Sequence, residues 1–186
     1  MNESILSAWD IAEAQPATDA NPRELLIHAV NYAILAPSSH NSQPWQFRIT
    51  GEQLELYADR TRALAVVDHA DRELVISCGA ALFCVRATLQ HLGVEPLIEL
   101  EPEGPASDLL ARAGVGKRRS ATEADHALFQ AITQRRTTRT PFEARDLPDT
   151  LQRSLADAAE GEGAALWVMR TPQQRTELAE LIAQAD

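Results

Sequence analysis

A mixed α and β fold is what this sequence predicts, and three patterns predict it. Several segments carry apolar residues at helical spacing, two adjacent short segments alternate like strands around a tight turn, and helical and strand patterns follow one another along the chain. With 186 residues, 45 % of them hydrophobic, the chain is long enough for one domain of ordinary size with a real core and too apolar for disorder.

The elements follow in order. Residues 1–20 are acidic, Ala-rich and weakly patterned, and read as an N-terminal arm or a short packed helix. Asn21-Pro22-Arg23-Glu24 is a helix start: an Asn cap, Pro at the first helical position and Glu three residues after the cap. Leu25, Leu26, Ala29, Val30, Ala33 and Ile34 then recur at helical spacing, and Pro37 ends the run. Trp45–Thr50 and Gln53–Ala58 read as two strands joined at Gly51-Glu52. Asp71–Leu92 is the strongest core helix, with Leu74, Val75, Cys78, Ala81, Leu82, Val85 and Leu89 on one broad side and Gly93 at its end. Within it Ser77, Gly79, Ala80 and Ala81 are small enough for another helix to come close. Pro96–Glu101 reads as a strand, Asp108–Ala113 as a short helix and Gly114–Ser120 as loop. Thr122 with Asp125 forms a capping-box pattern for a helix to about Gln134. Pro148 opens another helix stopped near Gly161, Ala165–Met169 reads as a strand, and Thr171-Pro172-Gln173-Gln174 starts a last helix.

Charge and composition exclude several function classes. A net charge of −10 argues against nucleic acid as a general partner. No apolar run approaches the length of a membrane span, and Met1-Asn2-Glu3-Ser4 lacks a basic start, so no membrane and no export are expected and a cytoplasmic location is. Cys78 and Cys84 match no zinc spacing, and their apolar helical context favours buried free thiols over a disulfide. His28, His40, His69, His91 and His126 form no HxH or HExxH pair, so no metal site is predicted. Lys117, Arg118 and Arg119 cluster, as do Arg135, Arg136 and Arg139; local cationic groups on an acidic chain suit a small anion better than a polyanion.

Two segments carry chemistry. Pro37-Ser38-Ser39-His40-Asn41-Ser42-Gln43-Pro44-Trp45 sets hydroxyls and amides between two stiff prolines, where rigid elements can present them to a ligand. The plain alternative is an ordinary turn. Arg135, Arg136 and Arg139, with Thr137, Thr138 and Thr140 among them, offer forked contacts and hydroxyl donors to a phosphate. Their plain alternative is arginines that offset the dipole at a helix end. One segment suits a heteroaromatic edge and the other a phosphate, and a nucleotide-like cofactor needs both. No GxGxxG follows a strand and no GxxxxGK[ST] occurs. A flavin mononucleotide needs neither motif.

These residues resemble a family. Ala36 through Phe47 is similar to the flavin-contacting loop of the nitroreductase family, and Arg135-Arg136-Thr137-Thr138-Arg139-Thr140-Pro141-Phe142 to its Arg-Arg-Ser-type phosphate motif. The runs Asp59-Arg60, Asp71-Arg72-Glu73-Leu74 and Gly79-Ala80-Ala81-Leu82 resemble the family's strand and core helix, so the likeness covers most of residues 21–170. It implies an α+β, nitroreductase-like fold: a central, mostly antiparallel sheet flanked by helices, with a long small-residue core helix at a dimer interface. The order of motifs departs from the ordinary pattern, because here the proline-serine loop precedes the arginines. That resembles the family's tandem branch of two degenerate units. It implies an arm over 1–20, a first unit over 21–134 and the start of a second, incomplete unit over 135–186, the chain being the N-terminal portion of something longer.

The resemblance further implies FMN as cofactor, held by Pro37, Ser38, Ser39, Asn41, Gln43, Arg135, Arg136, Thr137 and Arg139, with no side chain required as catalytic acid or base. NAD(P)H would be the electron donor, a nitroaromatic or quinone-like molecule the small aromatic acceptor, and a homodimer the assembly. Two alternatives stay open: a protein that stores or sequesters FMN with little turnover, and a cofactor-free interaction module or fragment.

Overall fold

Asn21 begins the first helix as its sequence dictates. Its side-chain oxygen accepts from the Glu24 amide at 3.0 Å, and the Glu24 carboxylate accepts from the Asn21 amide at 3.1 Å. Two amides that the helix itself cannot satisfy are thereby paired. The structure is a computed structural model that describes residues 16–17, 19–143 and 145–185. The expected arm over 1–20 thus lies mostly outside the described residues. The chain divides into two units, one up to Thr137 and one from Thr138.

The first unit is α+β. Helix α1 (Pro22–Ala33) is followed by strands β1 (Trp45–Thr50) and β2 (Gln53–Ala58), the long helix α2 (Arg72–His91), strands β3 (Val94–Leu100) and β4 (Leu109–Arg118), and helix α3 (Glu123–Gln134). The four strands make one antiparallel sheet in the order β1-β2-β4-β3. Leu54, Leu56, Ala111 and Ala113 point from the sheet into the core with Leu25, Leu26 and Ala29 of α1 and Cys78, Val85 and Leu89 of α2. A charged row crosses the strands at Arg48, Glu55, Arg112 and Glu99, residues that face one another in register.

Strand β4 corrects the sequence reading, which made Asp108–Ala113 a helix and Gly114–Ser120 a loop. The segment is the second inner strand of the sheet, paired with β2 on one side and β3 on the other. Leu109, Ala111 and Ala113 alternate into the core. Gly116 is fitted to its neighbour: a Cβ there would lie 2.9 Å from the Glu95 carbonyl oxygen. Small residues with little strand preference of their own are held extended by hydrogen bonding on both sides.

Helix α2 corrects a second expectation. It is long and apolar enough to cross a membrane by length and composition, with a mean hydropathy of 1.4 over its best 18-residue window. Of that window 56 % is buried inside the fold, which is what a core helix does. Cys78 and Cys84 are free and buried in it, and burial pushes their thiols up to about 12 and about 11. Val75, Ile76 and Gly79 stay exposed on its outer side, Ile76 to 67 %.

The second unit holds helices α4 (Asp149–Gly161) and α5 (Pro172–Ala185). Thr171 and Gln174 form the expected reciprocal cap. The strand expected at Ala165–Met169 does not form: residues 164–170 pair with no strand. A strand needs a neighbour for its backbone groups, and no described residue of this unit supplies one. No residue of α4 is buried, and Phe142 and Trp167 are 83 % and 81 % exposed.

Candidate functional site

Pro37 and Pro44 bracket the turn between α1 and β1 and remove two amide donors from it. Within it His40, Asn41 and Gln43 take left-handed backbone angles, with φ of 51°, 56° and 49°. Each costs on the order of 1–3 kcal/mol unless its surroundings hold it. Here the turn is held from within. The Ser38 hydroxyl accepts from the Gln43 amide at 3.0 Å, the Ser38 and Ser39 carbonyls accept from the Asn41 and Ser42 amides at 3.0 Å each, and the Gln43 side-chain amide donates to Asn41 Oδ1 at 3.3 Å.

It is also gripped from outside. The Ser39 amide donates to Ser77 Oγ at 3.2 Å, and the Ser39 hydroxyl donates to the Glu73 carboxylate at 2.5 Å. Arg62 donates to the Ser42 carbonyl at 3.3 Å. The Pro44 carbonyl accepts from the Asp59 amide at 2.9 Å and from Cys78 Sγ at 3.2 Å. The sequence reading assigns none of Glu73, Ser77, Arg62 or Cys78 to the site. Ser77 had a signal in the small-residue run of α2, which reads equally as simple packing, and Glu73 one in the run Asp71-Arg72-Glu73-Leu74.

The N-terminus of α2 lies beside this turn, and its positive end is already occupied. Asp71, the residue before the helix, is left-handed at φ 54° and makes no side-chain cap. Its carboxylate pairs with Arg60, which also binds Asp108 at 2.6 Å. Asp68 caps instead, accepting from the Leu74 amide at 2.9 Å. Burial raises the Asp68 carboxyl, but the amides of Leu74, Glu73 and Arg72 together outweigh it and hold the group below its ordinary value. A phosphate finds no open helix end there.

Cations come from the end of α3. Arg135 donates through Nη2 to the Leu35 carbonyl at 3.2 Å, and through Nη1 to Thr137 Oγ1 at 3.2 Å. Arg136 donates to the Thr133 carbonyl at 2.6 Å and to the Arg135 carbonyl at 2.8 Å. The second unit has an open cavity of about 500 Å³ lined by its own residues; in the first unit a cavity of about 310 Å³ is lined by Pro37, Phe83, Cys84, Leu128, Ile132 and Arg135 among others. Residues 98 positions apart thus share one apolar recess, since Pro37 and Arg135 stand on its wall together.

Of the sequence-predicted site residues, Pro37, Arg135 and Thr137 are brought to this corner, with Ser38, Ser39, Asn41 and Gln43 in the adjoining turn. The hydroxyls of Ser38 and Ser39 shape the turn rather than face outward unengaged. Arg139 is exposed and belongs to the second unit. The other basic cluster is structural: Arg118 donates to the Ala20 carbonyl at 3.2 Å, and Arg119 pairs with Asp125 at 2.8 Å. Among the described residues no group of three or more His, Cys, Asp or Glu could hold a metal ion.

No family model matches the chain. Curated relatives do. "Putative NAD(P)H nitroreductase acg" of Mycobacterium tuberculosis is 34 % identical over 119 residues, which cover 64 % of this chain and 36 % of that protein. "Probable NAD(P)H nitroreductase PigM" of a Serratia species is 30 % identical over 138 residues, covering 71 % of this chain and 38 % of that one. The chain belongs to a nitroreductase-like family. A further relative, "Uncharacterized protein Rv3127" of M. tuberculosis, is 34 % identical over 158 residues, 83 % of this nitroreductase-like chain and 46 % of its own length. The chain therefore spans between about a third and a half of the length of these three relatives.

Proposed function

We propose that this chain contributes an FMN site to an NAD(P)H-dependent oxidoreductase of nitroreductase type. The observation that carries the proposal is the meeting of Pro37 and Arg135 on one apolar recess, with Arg135 bonded to the Leu35 carbonyl. These are the two segments that resemble the family's ring-contacting loop and phosphate motif. The relatives named as NAD(P)H nitroreductases support the oxidoreductase reading.

The donor set fits the cofactor. A guanidinium has five N–H donors, and Arg135 commits one to Leu35 and one to Thr137, so three are left for phosphate oxygens. The Thr137 hydroxyl accepts from Arg135 and keeps its own proton to donate. Arg136 would add charge. Asn41 accepts from Gln43 and keeps both amide protons for acceptors on a heteroaromatic edge. Pro37 and the apolar wall would exclude water, while Ser38 and Ser39 hold the turn in its strained shape. When bound, the flavin supplies hydride acceptance and donation; the residues named here bind and orient it. A nitroaromatic or quinone-like acceptor, a homodimer and a cytoplasmic location belong to the same proposal, and residues 135–186 would belong to a second unit.

One observation favours the cofactor-free reading. Arg135 and Arg136 both turn to main-chain carbonyls at helix ends, as arginines with a purely structural task would. The purified protein decides between the two. A yellow protein that releases FMN on denaturation supports the proposal, and a colourless one that takes up no FMN on titration rejects it. Oxidation of NAD(P)H with a nitroaromatic or quinone then separates an enzyme from a storage protein.

A further inference from the structure

We propose that His91 and His126 form a pH-sensitive clasp that ties α2 to α3 at neutral pH and releases α3 in mild acid. The two imidazoles meet Nδ1 to Nδ1 at 2.8 Å, edge to face, with ring centroids 4.8 Å apart. A hydrogen bond between two ring nitrogens needs one that carries a proton and one that does not. When both rings are protonated no acceptor remains, and two positive charges face each other across the contact.

Helix α3 has few other ties. Of its residues only Asp125 and Ile132 are buried, and Phe129 stacks on His91 at 3.8 Å and meets Tyr32 of α1 at 4.5 Å. The groups that face His91 from the packed elements are His126 and Asp125 on α3 and His28 on α1, with the Phe129 ring on its flat side. Asp125 favours a charged His91, but its carboxylate is already bound by Arg119 and by the Thr122 amide and hydroxyl. His28 offers no relief: its Nε2 is buried with no hydrogen-bond partner.

Burial lowers the His91 pKa, and then His126 and His28 lower it further against the pull of Asp125. A histidine whose folded pKa lies below its unfolded value stabilises the closed state fully above about pH 6.5. That stability is lost as the pH falls from there through the folded value, because the open state takes up the proton first. His28 is lowered by burial and acts in the same direction. Since α3 carries Arg135 and Arg136 at its end, its release would loosen the recess. The clasp itself stands whether or not a flavin binds there.

Amide hydrogen exchange at pH 7.5 and pH 5.5, corrected for intrinsic rates, tests it on the whole chain. Protection across residues 123–134 should fall relative to residues 80–89, by up to about tenfold per pH unit for each proton taken up on opening. In His126→Asn, whose amide can pair with His91 without a second charge, that fall should be smaller, burial of His91 and His28 leaving the remainder. No acid response in the parent, or an equal response in the variant, overturns the clasp. Histidine NMR titration of the unaltered protein gives an independent readout. His91 should titrate below its ordinary value, and an ordinary His91 titration would contradict the proposal.

Discussion

Ser39 is where the candidate site meets the scaffold. Its amide and hydroxyl both donate to α2, at Ser77 and Glu73, so it sets the strained turn. Glu73→Ala should release the turn and weaken flavin binding, with a stability loss of about 1 kcal/mol in urea melts, whereas Glu73→Gln should retain most of both because its amide oxygen still accepts. Equal binding by parent and Glu73→Ala would remove Glu73 from the site. Asp125 makes a different prediction. Its bond to Arg119, with those from the Thr122 amide and hydroxyl, holds its carboxyl far below the ordinary range against burial. A depressed carboxylate stabilises the fold above its unfolded pKa and loses that effect as pH falls toward the folded value. Asp125→Ala should therefore cost about 1–3 kcal/mol at pH 7, and the deficit should shrink only below about pH 4. That window lies below the one for His91, so the two effects can be read separately in one pH series of urea melts.

At the scale of elements, caps and periodicity carried most of the fold. Asn21–Glu24 and Thr122–Asp125 announced α1 and α3 through reciprocal caps that form as written. The apolar side of α2 was legible because a helix repeats its facing positions. Strand β4 was not, because Ala111, Ala113, Gly114 and Gly116 have no strand character until β2 and β3 pair with them on both sides. Residues 165–169 fail the opposite way: Leu166, Trp167 and Val168 have strand character and no described neighbour to pair with. The turn residues of the candidate site were legible as a group, while Glu73 and Ser77, 34 and 38 positions further along than Ser39, became visible only through packing. Gly93 tests the account of element ends. It stops α2 at φ 71°, and a Cβ there would lie 2.8 Å from the Arg119 carbonyl oxygen, whereas Gly51 at φ 60° faces open space. Gly93→Ala should destabilise by clearly more than the roughly 1–2 kcal/mol expected for Gly51→Ala, as measured by thermal melts. Equal losses would mean the close approach at Gly93 is not maintained in solution.

For the whole molecule, the contrast between the units matters most. The first has a packed core of leucine, valine and alanine side chains under a four-stranded sheet. The second has no buried residue in α4, and its residues 164–170 pair with no described strand. Amide exchange across 165–169 should be fast while the middle of α2 stays protected, and slow exchange at 165–169 would mean a partner strand is present in solution. The outer side of α2, with Val75, Ile76 and Gly79 exposed, is the face on which the proposed homodimer would form; light scattering at micromolar concentration should show more than a monomer.

The central claim is that a turn at 37–43 and the arginines after α3 serve one phosphate-bearing flavin. Its most direct test is a pair of titrations, with FMN and with riboflavin, on the parent chain and on Arg135→Ala/Arg136→Ala. Riboflavin lacks the phosphate, so the double variant should lose FMN affinity by on the order of 1.5–3 kcal/mol per charged hydrogen bond removed and change little toward riboflavin. Equal losses for both ligands, or FMN affinity unchanged by the double substitution, would contradict the assignment.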